Sequence, residues 1–218
     1  MRLAARDPEA STGGTELART VAEIKADIAQ VSALPIGGVT PIIFSIQPAE
    51  SIDHLLATNL TVGFDLRGYG TAERWPWVTP KTGLLVWDPL GEGKITSARQ
   101  LFGSYTFEIF RADGYAAMAA LDDNRNGLLQ GVELDGIRAW FDSNSDGRAE
   151  PNEVHDLSEL GIVALDVHAV TMEGPHPSNP VGLRLIGGET RPTWDWTVDP
   201  LPTRQSIMQN HQALAGVP

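Results

Sequence analysis

Apolar positions along this chain follow two different periods, and the change from one to the other divides it. Leu17, Val21, Ile24, Ile28 and Val31 recur at intervals of four and three, which is the spacing of one face of an α-helix. Thr15 can cap that helix, Glu16 suits its first turn, and Pro35 ends it. Beyond Pro35 the runs become short and rich in β-branched and aromatic residues. Pro41 to Ile46, Val62 to Asp65, Trp75 to Val78, Leu84 to Trp87 and Ile162 to Val170 read as strands, most of them bounded by glycine or proline. Helices are expected from Pro48 to about Leu60, over the alanine-rich Gly114 to Leu121, over Leu134 to Phe141, and over Asn152 to Leu160 with Gly161 as its stop. Leu101 to Phe110 fits either period.

Between these elements lie two twelve-residue stretches with one shared pattern. Asp122 to Glu133 reads D-D-N-R-N-G-L-L-Q-G-V-E, and Asp142 to Glu153 reads D-S-N-S-D-G-R-A-E-P-N-E. Each has aspartate first, side-chain oxygens third and fifth, glycine sixth and glutamate twelfth. Calcium takes six to eight oxygens, and a tight loop supplies them from alternate positions, with a distal glutamate closing the shell. In the first loop the ligands expected are Asp122, Asn124, Asn126, the Leu128 carbonyl, Gln130 and Glu133. In the second they are Asp142, Asn144, Asp146, the Arg148 carbonyl, Glu150 and Glu153. The second set holds four carboxylates and the first only two, so two Ca²⁺ sites are expected, with the 142–153 loop the tighter. A polar Asp/Asn/Gly turn without metal is the plain alternative.

Only eight residues separate the loops, so a single two-turn helix would have to serve both. The expected fold class is therefore α+β: short strands and turns around a compact helix–loop–helix–loop–helix tandem EF-hand unit. Three segments are expected: a flexible N-terminus with an amphipathic helix (1–34), a mixed domain holding the loops (35–170), and a tryptophan-containing extension with a polar tail (171–218).

The order of blocks from Val62 to Val167 carries a resemblance. Phe64-Asp65-Leu66, Trp77-Val78, Gly83-Leu84-Leu85-Val86-Trp87-Asp88 and Leu101-Phe102-Gly103 precede the loops, and Glu159-Leu160-Gly161-Ile162 follows them. This resembles the EF-hand calcium-binding region of large bacterial secreted proteins, including some of the RTX type, with a dockerin-like compactness. The resemblance implies calcium binding and an extracytoplasmic habit. Two further loops of such proteins are altered here: Arg67 and Tyr69 stand where oxygen ligands belong after Asp65, and Leu90 does so after Asp88. Both are expected to be metal-free turns, with Gly70 and Gly93 in conformations that other residues resist.

Composition narrows the function. The net charge of −12 disfavours nucleic acid and anionic lipid as partners. No run is long and apolar enough for a membrane span. No cysteine is present, which removes disulfides, thiol nucleophiles and zinc–thiolate sites. Asp166 and His168 would share a strand face, but no nucleophile motif accompanies them. No catalytic residue is assigned. The reading is a calcium-stabilised structural or interaction protein, expected in the periplasm or secreted, which docks on a protein partner through its N-terminal helix and C-terminal tail. The alternatives are a secreted hydrolase with structural calcium, whose tryptophan pairs Trp75/Trp77 and Trp194/Trp196 would bind substrate, or a cytoplasmic calcium buffer.

Overall fold

The structure is a computed structural model describing residues Val39 to Leu201. It is predominantly β. Eleven strands are present: β1 (Ile42–Phe44), β2 (Leu56–Phe64), β3 (Glu73–Val78), β4 (Gly83–Trp87), β5 (Leu128–Gln130), β6 (Ile137–Trp140), β7 (Val154–Asp156), β8 (Ile162–Asp166), β9 (Thr171–Glu173), β10 (His176–Leu185) and β11 (Thr190–Asp195). The one α-helix among the described residues, α1, spans Gly114–Ala119 and is capped by the Asp113 side chain. Nine strands form one sheet in the order β5-β8-β10-β11-β1-β4-β6-β7, with β9 on the side of β10, while β2 and β3 form a separate ribbon. Every strand pairing is antiparallel.

The centre of the sheet, β1 and β4, is buried on both faces, which is why these strands read as unbroken apolar runs. Ile43, Leu84, Val86, Trp140 and Trp194 face one core, completed by Val62, Phe64, Trp75 and Trp77 of the ribbon. Ile42, Phe44, Leu85, Ala139 and Leu183 face the other, covered by Tyr115, Ala117 and Met118 of α1. Successive residues of one strand thus serve opposite cores, as a period of two requires.

The α+β expectation does not hold, and three of its helices are strands or turns. Leu134 to Phe141 contains β6: Gly136 at φ +84 stops any helix, and Ile137, Arg138, Ala139 and Trp140 then alternate between faces while pairing with β4 and β7. Asn152 to Leu160 holds β7 and a turn, although Gly161 does take a positive φ of 72. Pro48 to Leu60 gives a single 3₁₀ turn over Ile52–His54 and then the start of β2. Each expected helix had helix-compatible residues, but pairing to a neighbouring strand decided the outcome. The strands expected around Ile42, Val62, Trp75, Leu84 and Ile162 are present. Residues 171–201, read as an extension, supply β9, β10 and β11 to the same sheet. The amphipathic helix of 15–34 and the tail beyond 201 lie outside the described residues.

One buried group has a measurable consequence. Asp195 of β11 is fully buried, and neither of its oxygens closes a hydrogen bond of normal geometry. Burial drives its pKa well above the carboxylate range; the Gly114 N–H opposes this, Asp113 adds to it, and the Thr40 hydroxyl again opposes it. An acid whose pKa is higher in the folded state contributes stability fully present below the unfolded value, about 4. That contribution is lost as pH rises toward the folded value, at about 1.4 kcal/mol for each tenfold difference in acid strength. Asp195→Asn should therefore melt at least ~3 °C higher than the parent at pH 7, with the gap closing below about pH 4. Melting curves across that range check it.

Candidate metal centre

The second loop joins β6 to β7 and so closes a hairpin rather than linking two helices. Asp142 and Glu153, its first and last residues, are both buried. The Phe141 N–H donates to the Glu153 carbonyl at 2.9 Å, drawing the two ends together. Asp142 accepts through Oδ1 from the Asp146 N–H at 3.1 Å and through Oδ2 from the Gly147 N–H at 2.8 Å. Asn144 Oδ1 accepts from the Asp146 N–H, and Asp146 Oδ1 from the Arg148 N–H. Glu153 Oε1 accepts from both the N–H and the hydroxyl of Ser143, at 2.8 and 2.6 Å. The chain is thus wound so that the expected side chains and the Arg148 carbonyl share one short loop.

Two core tryptophans hold its ends. Trp77 Nε1 donates to Asp142 Oδ2 at 2.6 Å, and Trp140 Nε1 to Glu153 Oε2 at 3.4 Å. Their rings touch, with centroids 5.8 Å apart, and both pack on Phe64. The first and last candidate ligands are therefore tied through two indoles to one aromatic core. Sequence reasoning missed this role for Trp77 and Trp140. The period-two spacing of Trp75 and Trp77 marks them as buried, but nothing local points from Trp77 to a loop 65 residues away.

The loop brings several carboxylates close to one another. Burial raises the pKa of Asp142 against the hydrogen bonds from Gly147, Trp77 and Asp146, with Glu153 adding to the rise. Glu150 is pushed up first by its hydrogen-bonded contact with Glu153, then by burial and by repulsion from Glu153 and Asp146. Burial works to raise Glu153 as well, but hydrogen bonds from Ser143 and Glu150 outweigh it and its pKa falls. Carboxylates that crowd one another in this way are relieved by a bound cation.

The first loop has the same form on a more exposed base. Asp122 accepts from the Asn126 and Gly127 N–H groups at 3.2 and 2.8 Å. Asn126 Oδ1 accepts from the Leu128 N–H, and Glu133 from Asn124 and from the Gln130 N–H. It runs from the end of α1 into β5 and the 3₁₀ turn Gly131–Leu134. No tryptophan anchors it.

Among the described residues, no three His, Cys, Asp or Glu side chains converge on one point. A cation in either loop would draw on asparagine amides and main-chain carbonyls as well as carboxylates. Calcium accepts that oxygen set, whereas zinc prefers nitrogen and sulfur. Asp166 and His168 do meet, at 3.2 Å, but on the surface. The tryptophan pairs are core: Trp75, Trp77, Trp194 and Trp196 are all buried, so none offers a stacking platform. A cleft of about 900 Å³ opens beside the second loop, with Tyr69, Lys94, Arg99 and Arg148 among its walls.

The model of the SPM domain family matches residues 50–181, more than half of the chain and the whole of both loops. The chain belongs to the SPM domain family. The chain is also similar to the iron-regulated protein FrpA of Neisseria meningitidis serogroup C, with 38% identity over 109 residues, covering 48% of this chain and 10% of that protein. The chain thus spans about a tenth of the length of that curated relative. These matches, with the β-rich structure, replace the resemblance to an EF-hand region of secreted proteins. The SPM domain has no helix–loop–helix unit among its described residues: β6 and β7 flank the second loop, and only the short α1 precedes the first. The EF-hand description does not stand, and the support that it lent to calcium binding goes with it. Nor is any helix among the described residues long and apolar enough to cross a membrane.

Proposed function

We propose that this chain is a calcium-stabilised structural and interaction module, in which an ion held in the 142–153 hairpin loop fixes the aromatic core. The observation that carries this reading is the tie from Asp142 through Trp77 and Trp140 to Glu153. A cation drawing Asp142 and Glu153 together would lock the β6–β7 hairpin and the ribbon strand β3 at once. Asp142, Asn144, Asp146, Glu150, Glu153 and the Arg148 carbonyl would hold it, and the exposed 122–133 loop would take a second ion more weakly. The ion would supply charge neutralisation and loop closure. An extracytoplasmic setting, where calcium reaches millimolar levels suited to modules of this kind, fits the proposal. Docking of a protein partner is part of it, and the cleft beside the loop, with exposed Lys94 and Arg148, favours an acidic contact surface.

Hydrogen exchange tests the role of the ion. Calcium should slow exchange of the Phe141, Asp146, Gly147 and Glu153 amides, each hydrogen-bonded within the loop, by at least ~10-fold over a chelated sample. Equal exchange rates in calcium and chelator would overturn the reading.

A further inference from the structure

Four loops of this chain, not two, share one backbone frame. Asp65 accepts from the N–H groups of Tyr69 and Gly70 at 3.0 and 2.8 Å, and Asp88 from those of Glu92 and Gly93 at 3.1 and 2.9 Å. These are the contacts that Asp122 and Asp142 make with the residues four and five positions on. The sixth position has positive φ in all four, at Gly70 (80), Gly93 (64), Gly127 (85) and Gly147 (73). So does the fourth, at Gly68 (67), Gly91 (65), Arg125 (57) and Ser145 (61). Sequence alone singles out the two upstream turns for their lost ligands; the structure adds that their frame is intact.

What differs is the source of positive charge. In the Asp65 loop, Arg67 at the third position reaches Glu73 at the ninth, with Nε 3.2 Å from Oε2. The corresponding residues of the 142–153 loop are Asn144 and Glu150, two candidate ligands. The guanidinium thus joins two positions that a metal would join, and it also lies 5.9 Å over the Trp75 ring. In the Asp88 loop the cation comes from β6. Arg138 pairs through Nη2 with Asp156 of β7 at 2.7 Å and brings its Nε to 4.0 Å from Asp88 Oδ2, and its guanidinium passes so close to Gly91 that a Cβ there would stand 3.0 Å from Nη2. The carbonyl at the seventh position, Lys94, is already taken by the Gln100 amide at 2.7 Å. By contrast, among the described residues no arginine, lysine or histidine pairs with Asp122, Glu133, Asp142, Asp146, Glu150 or Glu153.

We propose that the Asp65 and Asp88 loops are copies of one cation-binding frame in which the chain's own guanidinium groups, Arg67 and Arg138, replace the metal, so that the protein takes two calcium ions and not four. The proposal rests on the calcium reading of the other two loops. A covalently held cation neutralises a loop at any calcium concentration. Half of the frame is therefore set permanently, and the other half is left responsive to the ion.

Calorimetric titration of the full chain with calcium, carried to millimolar concentration, tests this by stoichiometry. The parent should saturate at two equivalents. Arg67→Asp combined with Tyr69→Asp restores the third and fifth positions and should raise the count to three. Arg138→Leu combined with Leu90→Asn, which frees Asp88, should do the same independently, while Arg67→Met should leave it at two. Circular dichroism shows which variants are folded, and the parent's count requires no variant. A parent that takes three or four ions, or folded restored variants that stay at the parent's count, overturns the proposal. A parent that takes none overturns the calcium reading of the 122–133 and 142–153 loops instead.

Discussion

A fragment limited to residues 50–181, the span matched by the SPM family model, is expected not to fold, whereas residues 39–201 should fold on their own. The reason lies in the order of the sheet. β1 and β11 fall outside that span, yet they sit side by side at its centre, joining β10 to β4. Ile43 pairs with both Trp194 and Leu84, so the short fragment splits the sheet in two and opens both cores. Ile42, Ile43, Phe44 and Trp194 are all buried, and each such side chain contributes about 1.5–3 kcal/mol. Their combined loss, more than ~6 kcal/mol, matches the whole net stability of many domains, about 5–15 kcal/mol. Thermal melts followed by near-UV circular dichroism check this. A cooperative melt of the short fragment near the parent's temperature would show that the two central strands are accessory.

Glu153→Gln is expected to weaken calcium binding by about 100-fold or more, or ~2.8 kcal/mol at 1.4 kcal/mol per decade. The change keeps the size of the side chain but removes a charge and one of the two oxygens that would close the shell. Gln130→Asn in the first loop should change total calcium uptake far less, because its side chain carries no charge and lies on the exposed loop. Asp142→Ala should be destabilising even without metal. It strands the Trp77 indole and the Gly147 N–H, from which Asp142 now accepts, and each buried donor left unpaired costs about 1–3 kcal/mol. Calorimetry and melts of the three variants separate loss of the ion from loss of the scaffold.

The positions of the loops and of five of the eleven strands were legible in the sequence because both depend on local spacing. Oxygen-bearing residues at alternate positions around a glycine define a loop wherever it occurs, and Ile42-Ile43-Phe44 or Leu84-Leu85-Val86 has too few residues for a buried helix. The elements flanking the loops were misjudged for the opposite reason. Ile137-Arg138-Ala139-Trp140 carries a period of two, but the resemblance to an EF-hand unit assigned it a helix, and only its pairing with β4 and β7 settles the matter. The same applies to Val154-His155-Asp156. The anchoring of Asp142 by Trp77 and the approach of Arg138 to Asp88 join residues that are distant in sequence, so no local pattern contains them. Arg67 was legible as a lost ligand, but its bridge to Glu73 needed the turn of the chain to bring them together.

The central claim is that calcium in the 142–153 loop holds the aromatic core, and the melting temperature of metal-free protein as a function of calcium concentration tests it most directly. A ligand bound only by the folded state adds about 2.7 kcal/mol at a hundredfold excess over Kd, so the melting temperature should climb steadily with the logarithm of calcium. Emission from Trp77 and Trp140 should shift over the same range, and magnesium, which demands a stricter octahedral shell, should have little effect. A melting temperature and tryptophan emission that stay constant from chelated protein to millimolar calcium would contradict the account.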